Sequence, residues 1–497
     1  MSCYAEKLST QSVFEIKVLG ANLDKDNPVF LVKKLVEIYE SRNPHLFKRD
    51  SKKVGRPKIY TDEELLGFIF WGNYNEKFTC RKLADWIKNN DESAKYLLNG
   101  KRPGKSKISS YKSKNEEMIN DFFNFTVEIG KEIGLIDGEY IYQDGTILKA
   151  FANKFNNIYP SEIQYIKEFI KKWSIDTSKN GTWHKLRKYF HGKEKHEELS
   201  EILDEINDNL RLKPLKLLIK SLKSKEKRTE VLEQLKFLES NSQKENSISL
   251  SDPECNWMID KEDKNGLNYN YQIAVDGKHG MIVGQYLTSS TNDYRELKPM
   301  VKILKEETLK NDDFTLIADN GYYFIENLEQ LTYEGIRIVI PDRLSAKESK
   351  STKEPKEFSK SKFKYIKEID AYICPIGEIL LRQNNRSKDG VQYKVYRTSC
   401  KNCPCREKCA NNKNKEIIDR DNPILDLMKE FYKSEEGHEI YKSRAPLTEG
   451  GFGTLKEARN FNGIKRRGLK NANIDLTICA IVHNIKKIYN HLNATFI

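Results

Sequence analysis

Tyr140-Ile-Tyr-Gln-Asp-Gly-Thr146 is a short aromatic and β-branched run that closes on an acid and a glycine. The composition predicts a strand over Tyr140–Gln143 ending in Asp144-Gly145-Thr146. A second run of the same form lies further on, where the apolar stretch Phe314–Ala318 leads into Asp319-Asn320-Gly321. A carboxylate at the end of a strand projects from a rigid sheet into a cleft, and a neighbouring glycine lets backbone or ligand approach closely. Either sequence alone is also an ordinary turn former. Between the two, residues 268–276 (NYNYQIAVD) and 281–288 (MIVGQYLT) carry strand patterns, and Glu296–Lys310 reads as helix. This mixture predicts an α/β (α+β) core.

Upstream of Gly134 the pattern is helical. Thr61 is an expected N-cap with Glu64 completing a capping box, and Leu65, Leu66, Ile69 and Phe70 line one face. A second helix is expected over Thr79–Ile87 and an apolar one over Glu116–Ile133. Two basic loops separate these helices. Residues 41–60 carry seven Lys or Arg against one Asp, and residues 101–115 carry six with no acid. Short helices with basic loops suit a DNA-binding bundle of the helix-turn-helix kind, or a plain bundle with a solvated basic face. Downstream of Pro160 the chain is highly charged with helical periodicity in stretches such as EELSEILDEINDNL and TEVLEQLKFLE, which reads as a helical insertion. Residues 344–368 are a Lys, Ser and Glu run read as an exposed linker. The last helix places Ile474, Ile478, Ile481, Val482, Ile485 and Ile488 on one face.

A further set of charges lies in YKSRAPLTEGGFGTLKEARNF. Tyr441, Arg444, Glu449 and Lys456 have the spacing Y-x2-R-x4-E-x6-K. Seven residues make about two helical turns, so Glu449 and Lys456 share a face if the segment is helical. The GGFG stretch argues against a regular helix at its start.

The ordered motifs YQDGT, IADNGYY and YKSRAPLTEGGFGTLKEARNF resemble those of the DDE transposases of bacterial insertion sequences, in the branch with a Tyr-Arg-Glu-Lys signature. Similarity extends to VGRPKIYTDEELLGFIFWG, FTCRKLADW, SDPECNWM and the closing KRRGLKNANIDLTICAIVHNIKKI. It covers about residues 50–160 and 250–490. Two features depart from the branch: four residues separate Arg444 from Glu449 where its best-known form has three, and GGFG stands where Pro or Val is usual before Phe-Gly.

The resemblance implies an RNase H-like catalytic core with an N-terminal helical DNA-binding domain and two insertions. The domains would be 1–135 (N-terminal helices), 136–160 (first core segment), 161–250 (helical insertion), 251–343 (second core segment), 344–422 (Lys-rich linker and Cys-rich insertion) and 423–497 (the core segment bearing the catalytic Glu). Asp144, Asp319 and Glu449 would be the catalytic acids, holding two Mg²⁺ (or Mn²⁺) ions. Three hard oxygen donors with phosphate and water suit such a pair. Arg444 and Lys456 would grip phosphate oxygens, the first as a fork and the second as a point charge, and Tyr441 would contact a phosphate near the cut. The expected reaction is cut-and-paste transposition: cleavage at terminal inverted repeats, then strand transfer into target DNA by a homodimer. A transposase-derived DNA-binding protein without activity and an RNase H-like nuclease without strand transfer are the alternatives.

Composition agrees with a nucleic-acid partner. Lys and Arg number 86 against 73 acids in 497 residues, a formal charge of +13. The apolar run Leu65–Trp71 is too short to span a bilayer, and the N-terminal residues hold no apolar signal core, so a cytoplasmic, nucleoid-associated bacterial protein is expected. No H-E-x-x-H motif or phosphate-cradling glycine loop occurs, which removes zinc-hydrolase and ATPase readings. Cys374, Cys400, Cys403 and Cys409 follow C-x25-C-x2-C-x5-C, with Cys405 as an extra. Thiolates at this spacing can surround a structural Zn²⁺. Plain buried or free thiols are the other reading.

Overall fold

The computed structural model describes residues 23–47, 59–89, 91–153, 157–173, 181–192, 199–209, 219, 232–233, 235–236, 247–249, 251–260, 264–342, 357–388, 391–410, 414–456 and 463–495. Most of the basic run 41–60, most of TEVLEQLKFLE and the first half of the Lys-rich run 344–368 lie outside the described residues.

The N-terminal helices are α1 (Pro28–Arg42), α2 (Asp62–Tyr74), α3 (Cys80–Lys88), α4 (Glu92–Leu97), α5 (Lys105–Lys114) and α6 (Glu116–Glu132). Thr61 caps α2 through the N–H of Glu64, and the Glu64 carboxylate accepts the N–H of Thr61 in return. Tyr39, fully buried, sets its ring edge-on to Phe122 at 4.9 Å and donates its hydroxyl to Asp121 at 2.7 Å.

The central sheet contains β1 (Tyr140–Lys149), β4 (Asn256–Ile259), β5 (Asn265–Asp276), β6 (Ile282–Thr288), β7 (Thr315–Ile317) and β8 (Arg337–Val339). β5 runs antiparallel to β1 and is flanked on its other edge by β4 and β6; β1, β7 and β8 are parallel. Read from β6, the strands lie in the order β6-β5-β1-β7-β8, so the first strand in sequence is central. The fold is mixed α/β. Helices α10 (Leu297–Ile303) and α11 (Ile325–Tyr333) connect the later strands.

Between β1 and β4 come β2 (Asn157–Ile158), α7 (Pro160–Trp173), α8 (Thr182–Phe190), α9 (Ser200–Asn209) and β3 (Ile248–Ser249). β2 and β3 pair with each other, bringing the two ends of this segment together, and Ile163, Phe169, Trp183, Leu186 and Phe190 form a core separate from the central one.

Residues 364–420 hold a second, antiparallel sheet, which the linker reading of 344–368 does not anticipate. Its strands are β9 (Lys364–Ile366), β10 (Ala371–Ile373), β11 (Ile379–Arg382), β12 (Arg386–Lys388), β13 (Val391–Arg397) and β14 (Glu416–Arg420). Phe363, Leu380, Tyr396 and Ile417 make a small core. In the described part of the Lys-rich run, Lys360 pairs with Asp419 and Phe363 enters that core.

The chain closes with α12 (Pro423–Lys433), α13 (Glu435–Lys442), α14 (Arg444–Lys456) and α15 (Leu469–Thr495). At 1.5 Å per residue α15 is about 40 Å long. Ile474, Ile478, Ile481, Val482, Ile485 and Ile488 are all buried along it. Asn484 of α15 accepts the N–H of Ile282 and donates to its C=O, both at 2.9 Å, so the outer edge of β6 is occupied. The same helix packs against α6 and α2. One hydrophobic core therefore joins the N-terminal helices to the central sheet.

Candidate active site

Asp144 lies within β1, not at its end. β5 offers a partner to every residue of β1 from Ile141 to Lys149, so Asp-Gly is drawn through as strand instead of turning. Gly145 is there for space. A Cβ at this position would stand 2.8 Å from Asp293 Oδ1 and closer still to the Gln272 amide.

Asp319 follows β7 with extended backbone, φ −82° and ψ 176°. Tyr142 of β1 lies opposite Ile317 of β7 in parallel register. Asp144 lies two residues further along β1 and Asp319 two residues past the end of β7; both charges act on Arg444 and on Asp293, so the two acids share one notch. Each carboxylate accepts a nearby backbone N–H: Gly145 to Asp144 Oδ1 at 2.8 Å, and Gly321 to Asp319 Oδ1 at 2.7 Å.

A third acid completes the notch, and the sequence reading missed it. Asp293, in the loop before α10, accepts Asn270 Nδ2 at 2.8 Å and Gln272 Nε2 at 2.7 Å on Oδ1. Burial raises the pKa of its carboxyl, the two amides oppose that rise, and the charges of Asp319 and Asp144 add to it. Gln272 also accepts the hydroxyl of fully buried Tyr322 and the amide of Gln143, so a polar network underlies the acids. Asp293 was hard to read because an acid just ahead of a helix is an everyday capping residue. The signal was its place in the short connection between β6, which ends at Thr288, and α10, which begins at Leu297.

α14 runs as helix through Gly450, Gly451 and Gly453. Packing overrides the poor helix propensity of glycine here: a Cβ on Gly451 would lie 2.9 Å from Ile273 Cδ1, and Phe452 sits edge-on to Tyr271. Arg444, Thr448, Gly451 and Phe452 form the face turned to β1 and β5. Arg444 Nη1 reaches Asp144 Oδ2 at 3.1 Å, and its guanidinium carbon lies 5.8 Å from the centroid of the Tyr441 ring. Burial pulls against the charge of Arg444, but Asp144, Tyr441 and Asp319 outweigh it and its pKa is raised. Burial likewise raises the pKa of Tyr441, against the pull of Arg444.

The structure thus brings Asp144, Asp319, Tyr441 and Arg444 together. It does not draw Glu449 in: that side chain is exposed and makes no hydrogen bond or ion pair with the described residues. Lys456 ends the helix, with its side chain outside those described. Among the described residues no three His, Cys, Asp or Glu side chains form a group set to hold a metal ion. The donor chemistry of Asp144 and Asp319 nevertheless fits a hard divalent cation.

Cys374, Cys400, Cys403 and Cys409 line one cavity of about 280 Å³; Cys405 is not part of its lining. All are free thiols. The N–H of Glu378 donates to Cys374 Sγ at 3.2 Å and that of Lys415 to Cys400 Sγ at 3.4 Å. Burial raises the Cys409 pKa, Lys415 lowers it, and the other three sulfurs add to the rise. Thiolates are the donor type a soft cation takes, but the four sulfurs do not stand as a group set to hold one.

An acidic notch at the central sheet, with an arginine delivered by a packed helix, is the candidate active site. Residues 373–489 match the family model described as Transposase DDE domain, which supports a DDE transposase. The class is one of nucleic-acid-cleaving enzymes that typically use divalent metals. The matched segment takes in β11–β14 of the Cys-rich sheet, α12–α14 and most of α15, while Asp144 and Asp319 precede it. No curated protein matches the chain significantly. Among the described residues, no helix is long and apolar enough to cross a membrane.

Proposed function

We propose that this chain is an insertion-sequence DDE transposase with an RNase H-like core, which cuts terminal inverted repeats and joins the freed 3′ ends to target DNA. The observation that carries this reading is Arg444 held on Asp144 with the charge of Asp319 beside it. The strand order, with the acid-bearing first strand central and its neighbour antiparallel, supports the RNase H-like assignment.

In this reading Asp144, Asp319 and Glu449 hold two Mg²⁺ or Mn²⁺ ions. When bound, these supply Lewis acidity and lower the pKa of the attacking water or 3′-hydroxyl. Glu449 lies five residues, about 7.5 Å of helix axis, from Arg444, so a side-chain rotation and a small helix movement bring it to the notch. Arg444 neutralises Asp144 in the resting site and turns its fork to a phosphate oxygen when DNA enters. Lys456 adds a point charge, and Tyr441 flanks the phosphate near the cut. The N-terminal helices bind DNA, and a homodimer pairs the two element ends in a bacterial cytoplasm. Cys374, Cys400, Cys403 and Cys409 bind a structural Zn²⁺ that ties the ends of the second sheet.

The test uses duplexes carrying the inverted repeats that flank the coding region, with Mg²⁺. Asp144→Asn, Asp319→Asn and Glu449→Gln are each expected to lower cleavage at least 10³-fold (about 4 kcal/mol) while DNA binding persists. Retained cleavage in any one removes that residue from the catalytic set. Cleavage without joining assigns a nuclease instead.

A further inference from the structure

The positive charge of the chain gathers where three separate stretches meet. Lys82 lies on α3, Lys149 ends β1, and Lys465 precedes α15. Residues 463–464 run beside the end of the strand: the N–H of Ile464 donates to the C=O of Lys149 at 2.9 Å. Gly463, with φ +95°, makes this possible, since a Cβ there would stand 2.9 Å from the same carbonyl. Lys82 and Lys149 are exposed and Lys465 is half-buried. The Lys465 ammonium has a lowered pKa, first through burial and then through repulsion by Lys82 and Lys149. Three ammonium groups thus crowd one another.

Beside them the guanidinium of Arg467 lies 5.6 Å from the centroid of the Phe151 ring, which is 52% exposed. An open groove of about 530 Å³ adjoins, lined by Ser109, Ser113, Phe151, Lys465, Arg467 and Asn471 among others.

Described carboxylates in this region bind other groups as well, and Asp252 also faces the charge of Arg467. Asp475 binds Lys112 and Arg466, and Glu116 binds Lys470. Glu254 accepts the N–H of Leu469, and Asp252 accepts that of Gly468 and the hydroxyl of Tyr269. Like charges held together by the fold cost stability, and a polyanion converts that cost into attraction. A row of ammonium groups with serine hydroxyls and an arginine-backed aromatic ring matches the charge and sugar face of a nucleic-acid backbone better than a lipid surface, for which no apolar patch is offered.

We propose that Lys82, Lys149, Lys465 and Arg467 form a contact surface for the backbone of duplex DNA. This rests on the transposase reading and adds to it the protein face that carries the DNA. Lys149 lies five residues along β1 from Asp144, about 16 Å at the strand rise. A duplex seated on the patch therefore reaches the acidic notch within about five base pairs. The surface joins α3 to the sheet, so the N-terminal helices and the core bind one duplex together.

The experiment follows binding of full-length protein to a labelled duplex of arbitrary sequence by anisotropy across a salt series. The Lys82→Gln, Lys149→Gln, Lys465→Gln triple variant is expected to lower the slope of log K against log salt by about 2.7, at 0.9 per lost phosphate contact. Its affinity near 0.1 M salt falls at least tenfold. The corresponding triple Lys→Arg variant keeps wild-type binding, and Lys302→Gln, on α10, changes nothing. The thermal midpoint of the triple Gln variant stays the same or rises, because repulsion is relieved. A triple variant with wild-type slope and affinity, while Asp144→Asn still abolishes cleavage, overturns the surface and leaves the transposase reading standing. A wild-type protein that neither binds nor cuts duplex DNA overturns both. Binding of anionic vesicles but not DNA assigns the patch to membranes and overturns the proposal.

Discussion

Asp276 shows how one buried carboxyl sets a pH dependence. It closes β5 fully buried, accepting the N–H of Gly138 on one oxygen at 2.9 Å and that of Lys278 on the other at 3.0 Å. Burial nonetheless pushes its pKa up to about 6, with Asp137 adding to the rise and the two amides opposing it. The unfolded chain ionises the same group near 3.9. Between about pH 4 and pH 6 the native state therefore holds a proton that the unfolded state has lost. Stability falls as pH rises through this window, by on the order of 3 kcal/mol, and levels off above it. Asp276→Asn is neutral throughout and loses one accepted hydrogen bond, about 1 kcal/mol at every pH. In urea unfolding from pH 4 to pH 7, the difference between wild type and variant is expected to shift by roughly 3 kcal/mol. A constant difference refutes the assignment. Gly145 carries a different lesson at this scale. The glycine next to Asp144 is legible as a place of close approach, but only the fold shows that Asp293 and Gln272 are what approach it.

At the scale of elements, the second sheet depends most on what binds it. Its core consists of Phe363, Leu380, Tyr396 and Ile417 with Tyr372, Cys374 and Cys409 at the margin, little apolar surface for a segment of this length. Ionic and hydroxyl contacts at its surface add to it: Asp419 holds Lys360 and Tyr372, and Asp370 accepts Tyr365, Tyr396 and Arg382. If Zn²⁺ joins the four sulfurs, purified protein carries close to one equivalent. Its removal by chelation, or Cys400→Ser, is then expected to expose amides of β10, β11 and β13 to hydrogen exchange while β1 and β5 stay protected. Metal-free protein with an equally protected second sheet refutes the zinc assignment. The cysteine spacing was readable in the chain. The sheet was not, since strands such as Arg386–Lys388 are exposed and charged and show no apolar alternation. The GGFG segment is a related case: propensity opposes a helix, and docking of Gly451 and Phe452 on β5 forms one.

For the molecule as a whole, the N-terminal helices and the core are stitched by a buried charge cluster. Lys112 of α5, 1% exposed, pairs with Asp475 of α15 at 3.2 Å, and Arg466 meets the same carboxylate at 3.0 Å. Arg466 also donates to Ser113 Oγ at 3.1 Å. Asp475→Ala strands two buried cations and is expected to cost about 3–5 kcal/mol. Because one apolar core spans both regions, hydrogen-exchange protection of α2, α6 and β5 is expected to fall together in this variant. Loss confined to the N-terminal helices would show that they fold as a separate unit.

Sequence alone determined the local features: the Thr61–Glu64 capping box, the apolar face of α15, the strands around Asp144 and Asp319, and the cysteine spacing. Each is set by neighbours a few residues away, through hydrogen-bond reach and side-chain period. Tertiary structure decided what long-range packing controls. Parallel pairing of β1 with β7 brings Asp144 and Asp319 to one notch, a loop far from both in sequence delivers Asp293, and α14 brings Arg444 there while leaving Glu449 at the surface. These placements depend on contacts between residues tens to hundreds apart, whose register no local pattern encodes.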